Sequence, residues 1–382
     1  MIFGVLGKRA GPRLAAAVAV AAATAIGLMA GSGSAQAATT PGWRLVKTIG
    51  PADGESFLIG VSASGPTSGW AVGQLCTAAC RGGTSKPADL IEHWTGQKWV
   101  RRPAPAGFSD IGDPTAISGG VFVTAMRSGR THVLRWNGRR WLDSGTPGCS
   151  FVRLAAFGAR NVWAFSNALC AARFNGRSWR KIRMPGAASG GFTALSPSDI
   201  WAVGVSAATV SKPPAKAVHL AMHWNGRSWH AMRVPTVPHP AGSVEGAGLV
   251  AATSSHDVWV NYGWSRSGCC TALRAMEHWN GKRWLRLMIP FATDTFGDSI
   301  SDGHGGFWLE ASLGPRSATE LRMYHFNAGR WRRMIVRAPA GMSVSLSFAS
   351  IPRSRSAWGV GGVSPLNNPQ SFLQAAIYKF GQ

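Results

Sequence analysis

Short apolar runs recur along the chain every 40 to 55 residues, each separated from the next by the same kind of turn. One kind of run centres on tryptophan and is apolar on both sides. Examples are "SGWAVG" (Ser68–Gly73), "RNVWAFS" (Arg160–Ser166), "SDIWAVG" (Ser198–Gly204), "HDVWVNYG" (His256–Gly263), "GGFWLEA" (Gly305–Ala311) and "SAWGVGG" (Ser356–Gly362), while "GGVFVTA" (Gly119–Ala125) puts Phe122 in the Trp slot. A run apolar on both faces predicts a strand covered on both sides. Upstream of each lies a short small-residue strand such as "FTALS" (Phe192–Ser196) or "LVAAT" (Leu249–Thr253), ending in a Pro/Ser/Asp turn.

A second phrase follows each of these. It reads "HWTGQKW" (His93–Trp99), "RWNGRRW" (Arg135–Trp141), "RFNGRSW" (Arg173–Trp179), "HWNGRSW" (His223–Trp229), "HWNGKRW" (His278–Trp284) and "HFNAGRW" (His325–Trp331), and a last copy breaks off at "YKFGQ" (Tyr378–Gln382). Asn-Gly between aromatic strands predicts a tight hairpin with a type I′ turn. Each unit is therefore strand a, turn, strand b, loop, strand c, turn, strand d, which is the signature of a β-propeller blade.

Strands b and c each occur seven times, and the seventh strand c has no strand d after it. The segment "GWRLVKT" (Gly42–Thr48) reads like a strand d with nothing before it. The expected fold is all-β: a seven-bladed β-propeller of four antiparallel strands per blade, closed when the N-terminal strand completes the last blade. Closure removes the open edge that a linear stack would leave. The tryptophans of the repeated phrase are expected to wedge neighbouring blades together, since a buried Trp removes a large apolar area from water.

The repeats begin only after residue 40. Before them, Lys8, Arg9 and Arg13 precede an Ala/Val-rich stretch from Leu14 to Ala30, and Ala35-Gln36-Ala37 has the small-x-small form of a cleavage site. Residues 1–37 read as a secretory signal peptide and 38–382 as a single propeller domain. No other long apolar run follows, so no transmembrane segment is expected after cleavage, and the expected location is extracellular.

Export changes the reading of the cysteines. Six in an oxidising compartment predict disulfides rather than a metal site. By the strand order all six fall on the face carrying the b–c and d–a loops. Cys149–Cys170 is the best pair and Cys76–Cys80 a loop staple. Cys269 and Cys270 leave open a vicinal bond, free thiols or a partner chain.

This arrangement resembles the kelch and galactose-oxidase-like propellers, and is similar to repeat-bearing propellers secreted by actinobacteria. The resemblance implies the fold without an activity: the kelch double Gly is clear only at Gly361-Gly362. The oxidase's copper-ligand set has no match among Tyr262, Tyr324 and Tyr378. No cofactor and no metal are expected.

Charge and side-chain chemistry then bound the function. The region after the leader keeps 37 Lys and Arg against 16 Asp and Glu, a charge of +21. Such a field favours anionic partners, although no nucleic-acid-binding motif is present. Arginine-rich composition alone is the other explanation. Arg101, Arg102, Arg180, Lys181, Arg183, Arg332 and Arg333 fall on or beside strand d, where they either discourage edge-to-edge pairing or form a polyanion-binding rim.

Stapled loops of unequal length on one face of a rigid scaffold predict the binding surface. Its candidate residues are Glu55, Asp110, Asp113, Glu245, Trp264, Arg266, Asp294 and Asp298. Two of the acids could form the carboxylate pair of a carbohydrate-active hydrolase or lyase; they could equally make turns or balance arginines. Asp199 with His223, and Asp257 with His278, are expected to form structural hydrogen bonds within blades. The resulting expectation is a monomeric, secreted, non-catalytic binding propeller. Its partner would be a polysaccharide, an anionic cell-wall polymer or another envelope protein.

Overall fold

The structure, a computed structural model, describes residues 42–381 apart from 51–53, 150–151, 167–169, 188–190, 207–217, 236–242, 267–268, 272–274, 291–294, 313–318 and 368–373. The expected signal peptide lies outside the described residues. Seven antiparallel sheets follow one another around a ring. In blades 1 to 7, strand a is Glu55–Gly65, Ser109–Ile117, Arg153–Ala156, Phe192–Ser196, Ser243–Ser254, Thr295–Ser301 and Met342–Ser350. Strand b is Ser68–Cys76, Gly120–Arg127, Val162–Phe165, Asp199–Ser206, Asp257–Arg266, Gly306–Ser312 and Ala357–Pro365. Strand c is Ala88–Trp94, Arg130–Trp136, Ala171–Phe174, His219–Trp224, Ala275–Trp279, Glu320–Asn327 and Gln374–Phe380. Strand d is Trp99–Arg101, Trp141–Asp143, Trp179–Ile182, Trp229–Arg233, Trp284–Met288, Arg330–Arg337 and, from the opposite end of the chain, Trp43–Ile49. Two short strands, Gly186–Ala187 and Cys269–Thr271, add to strand b of blades 4 and 5.

Closure of the ring rests on main-chain and side-chain bonds together. Strand d of blade 7 pairs antiparallel with strand c, from Trp43 opposite Phe380 to Ile49 opposite Ala375. Ser56, at the start of blade 1, donates its hydroxyl to the Ile49 carbonyl and accepts the Ala375 N–H at 2.9 Å. Lys47 of blade 7 reaches Glu92 of blade 1 at 2.9 Å, and that carboxylate is 2 % exposed.

The repeated phrase has two layers of packing. Directly opposed across strands c and d is an aromatic pair in every blade: Trp94–Trp99, Trp136–Trp141, Phe174–Trp179, Trp224–Trp229, Trp279–Trp284, Phe326–Trp331 and Phe380–Trp43, with centroids 4.9 to 5.9 Å apart. These rings also meet the strand-b aromatic of the preceding blade. Trp358 of blade 7 lies 5.1 Å from Trp94 and 4.9 Å from Trp99 of blade 1, and Trp163 lies 5.0 Å from Trp224. Apolar clusters accordingly form between successive blades all round the ring. Edge-to-face aromatic pairs add about 1 kcal/mol each beyond the area they bury.

The glycine ending the "WAVG" strand has a steric cause. A Cβ on Gly73 would stand 1.9 Å from the Phe57 carbonyl oxygen, and one on Gly361 1.9 Å from that of Ser345. Strands a and b approach too closely there for any side chain.

The hairpin turn differs from the type I′ expected. Only the glycine takes positive φ, at +93° for Gly138 and +95° for Gly176, whereas a type I′ turn requires it at both central residues. The asparagine stands one position earlier. Its Oδ1 accepts the N–H of the second and third residues after it, as Asn137 does from Arg139 and Arg140, both at 3.0 Å. Asn175, Asn225 and Asn280 do the same. The carboxamide replaces a main-chain acceptor, which an Asx turn allows. Positive φ at both central residues occurs at Ala328-Gly329 in blade 6, between the paired Asn327 and Arg330.

Candidate functional site

The two faces of the ring differ. One carries the a–b and c–d turns, which are short and alike. The other carries the b–c and d–a connections, and both described disulfides are on it. Cys149–Cys170 (Cα–Cα 6.0 Å) joins the connection after blade 2 to the b–c loop of blade 3. Cys76–Cys80 (Cα–Cα 5.2 Å) closes the start of the b–c loop of blade 1, where a single helical turn, Ala78–Arg81, follows. Cys269 and Cys270 lie in the short added strand of blade 5, with Cys269 opposite Arg266 and Thr271 opposite Ser265; the cysteine side chains lie outside the described residues.

Strand a of every blade lines the axis, enclosing a channel of about 600 Å³. Its wall is mostly hydroxyl and small apolar groups, among them Ser62, Thr115, Thr193, Ser301, Ser347 and Ser350. The charged exceptions are Asp113 of blade 2 and Arg153 of blade 3. Strand a of blade 2 has two register shifts, and Asp110 and Asp113 both adopt positive φ, +54° and +43°. Asp tolerates that region better than most residues, so the sequence permits the kink. The bend turns Asp113 into the channel wall, where it accepts the Leu154 N–H and lies 3.8 Å from Arg153 of blade 3. Burial pushes the Asp113 carboxyl up to about 6, against the opposing pull of Arg153 and the Leu154 N–H. Arg153 in turn lies 5.6 Å over the Phe192 ring.

Other acids gather at the same mouth. Asp110 accepts from Ser109 at 2.9 Å and from Gln74 at 3.4 Å. Asp89, on strand c of blade 1, accepts the Ile111 N–H at 3.1 Å. Its pKa is raised, by burial and then by the Asp110 charge, although the Ile111 N–H works against both. Glu55 opens strand a of blade 1, 3.9 Å from Arg81 on the stapled helix. Glu245 is in strand a of blade 5, opposite Trp264, and Ser243 is opposite Arg266; Asp298 is in strand a of blade 6. The side chains of Glu245, Trp264, Arg266 and Asp298, and all of Asp294, lie outside the described residues. Asp89 and Arg153 were not distinguishable in the sequence, because nothing local marks which acid a bulge turns inward.

At the opposite face the residue before the strand-c aromatic stacks on the strand-b ring of its own blade. His223 lies over Trp201 at 4.2 Å, His278 over Trp259 at 3.7 Å, His325 over Trp308 at 4.2 Å and His93 over Trp70 at 4.1 Å. Arg135, Arg173 and Lys379 take the position in blades 2, 3 and 7, over Phe122, Trp163 and Trp358. His223 Nε2 donates to Asp199 Oδ1 at 2.9 Å, and His278 Nε2 to Asp257 Oδ1 at 2.6 Å. Blade 6 repeats this through Asp302, 2.7 Å from His325. Sequence reading missed Asp302 because it stands six residues before its Trp rather than two. Blade 1 has no such acid. There Arg102 donates to His93 Nδ1 at 3.3 Å, and the imidazole is held below its ordinary range by burial and then by that cation. These rows are cross-strand structural pairs, and the described residues contain no group of three or more His, Cys, Asp or Glu able to hold a metal ion.

No protein-family model matches the sequence, and no curated protein is similar to it. Solved structures match over most of the chain. YCF48 bound to D1 peptide is 13 % identical, with a TM-score of 0.54, covering 88 % of this chain and 94 % of its own. A protein of unknown function from Dyadobacter fermentans DSM 18053 is 11 % identical, with a TM-score of 0.50, covering 90 % and 100 %. At these identities the likeness is one of fold.

Proposed function

We propose that this chain is an exported, monomeric, non-catalytic binding propeller whose ligand sits on the disulfide-bearing face, at the mouth of the axial channel. The observation that carries the reading is the placement of both described disulfides on that one face, on a body whose blades are locked by aromatic pairs. Rigid loops on a rigid scaffold lose little freedom on binding. The disulfides also support an oxidising compartment, in accord with export by residues 1–37. The Trp-rich repeats, with their likeness to kelch-type propellers secreted by actinobacteria, accord with it too. Among the described residues no helix is long and apolar enough to cross a membrane.

The mouth favours an uncharged polar ligand, foremost a cell-envelope carbohydrate. Its hydroxyl-lined wall offers donors and acceptors, while Asp89, Asp110, Asp113 and Glu55 disfavour an anion there. The non-catalytic reading is supported by the engagement of Asp110, Asp113 and Glu55 with neighbours in the fold rather than with each other. A second reading, an extended peptide of an envelope protein, draws on the peptide bound to the YCF48 propeller.

Calorimetry with solubilised neutral cell-wall polysaccharide tests this. Binding is expected to vanish when residues 77–87 are replaced by a Gly/Ser loop of equal length, and to survive Arg139→Gln with Arg140→Gln on the other face. Equal binding by both variants would sink the assignment. Release of reducing ends over time would replace it with the hydrolase reading.

A further inference from the structure

The chain's positive charge is unevenly placed. Between residues 144 and 244, eleven Lys and Arg accompany a single carboxylate, Asp199. That carboxylate is already occupied, by His223 at 2.9 Å and the Trp201 indole N–H at 3.0 Å. Blades 3 and 4 therefore form an arc of the ring with almost nothing to neutralise it.

Strand d of blade 3 and the c–d turn of blade 4 frame a groove of about 600 Å³ at the outer edge of that arc. Arg180, Lys181 and Arg183 line one side; Arg227, Ser228 and Trp229 line the other. All four cations are exposed, and none has an ion pair among the described residues. Lys181 in strand d and Arg183 just past its end stand two residues apart, about 6.7 Å along an extended chain.

Edge protection does not account for this. Two strand-d cations elsewhere are matched by carboxylates, Arg286 by Glu277 at 2.7 Å in blade 5 and Lys47 by Glu92 at 2.9 Å at the seam. In blade 3 Arg180 is instead directly opposite Arg173, and like charges facing each other across strands are destabilising. A cluster kept at a cost to the fold, beside an indole edge, has the chemistry of a site for an anionic sugar chain: guanidinium groups take carboxylate or phosphate in bidentate fashion.

The geometry points to the groove between blades 3 and 4 as a docking site for a linear anionic polysaccharide, separate from the channel mouth. The choice of a carbohydrate over a nucleic acid rests on the export reading. The binding itself does not, so failure of export would leave the in-vitro result unchanged.

The experiment uses the full chain and fluorescein-labelled polygalacturonate, with uncharged dextran as the control. Arg180, Lys181, Arg183 and Arg227 are changed together to Gln, and compared with a variant losing the same charge elsewhere, Arg139, Arg140, Arg332 and Arg333 to Gln. All eight side chains are exposed, and an unchanged Tm verifies folding. The groove variant is expected to bind at least tenfold more weakly than the control variant. The salt slope of its log affinity between about 50 and 200 mM should be shallower by about 3, as loss of four contacts requires. Equal weakening in the two variants would overturn the proposal, because the overall field would then suffice. So would equal affinity for dextran. Binding of duplex DNA or of phosphatidylglycerol vesicles as tight as that of polygalacturonate would overturn the carbohydrate assignment.

Discussion

Asp302 and His325 meet across the sheet of blade 6, Oδ2 to Nε2 at 2.7 Å, while the imidazole lies flat against Trp308. Burial alone would raise the Asp302 pKa. The hydrogen bonds from His325, the His304 and Gly306 N–H groups and Asn327 outweigh it, and hold the carboxyl well below the usual range. A depressed folded-state pKa contributes stability that is present above the unfolded value, near 4, and is lost as pH falls below it. Asp302→Asn should therefore cost about 1–2 kcal/mol at neutral pH, about 2 °C in Tm for a chain this long. It should also flatten the fall of Tm between pH 4 and pH 2 that the lowered Asp302 pKa predicts for the wild type. Asp257→Asn is expected to lower Tm without altering any binding; thermal scans with a binding assay check both.

Asp113 carries the opposite sign. Its folded-state pKa, about 6, lies above the unfolded value, so its contribution turns unfavourable as pH rises from about 4 through 6. A quarter of the side chain remains exposed, which limits the penalty at pH 8 to about 2 kcal/mol. Asp113→Asn, which keeps tolerance of positive φ, should raise Tm at pH 8 and leave it unchanged at pH 4. Denaturant unfolding at the two pH values reads the difference.

The seam between blades 7 and 1 depends on Lys47. Removing its ammonium with Lys47→Met leaves the buried Glu92 carboxylate only Arg101, opposite it across the sheet, at a cost of about 2–3 kcal/mol. Adding Glu92→Leu should recover most of that loss. A double variant no better than the single would show that the ion pair does not hold the seam.

The two staples should differ in strength. Cys149–Cys170 closes a segment of 21 residues and Cys76–Cys80 one of 4. Loop-closure entropy then assigns about 3 kcal/mol to the first and about 2 to the second. Serine pairs at each site, compared by equilibrium unfolding, should rank in that order.

The blade count and the closing strand were legible in the sequence because each strand type recurs as a quotable phrase, and because the orphan d at one end matched the vacancy at the other. The Asp199–His223 contact was legible too, since a turn acid and a strand-c histidine recur at fixed offsets. Its counterpart at Asp302 was hidden by a longer turn, "DGHGG", that delivers a carboxylate from farther back in the chain. The turn type was misread for a local reason: the Asn carboxamide competes with the main chain for the N–H groups that define it. The groove between blades 3 and 4 depends on which strand d faces which neighbouring hairpin, and that juxtaposition is a property of the ring rather than of any one repeat.

Because Trp43 lies opposite Phe380, the first described strand cannot take its place until the last has been synthesised. A growing polypeptide thus carries an unmatched ribbon throughout its synthesis, and six completed blades would still flank a gap. The annulus therefore closes only after residue 380 has left the ribosome, whatever the order in which the other blades form.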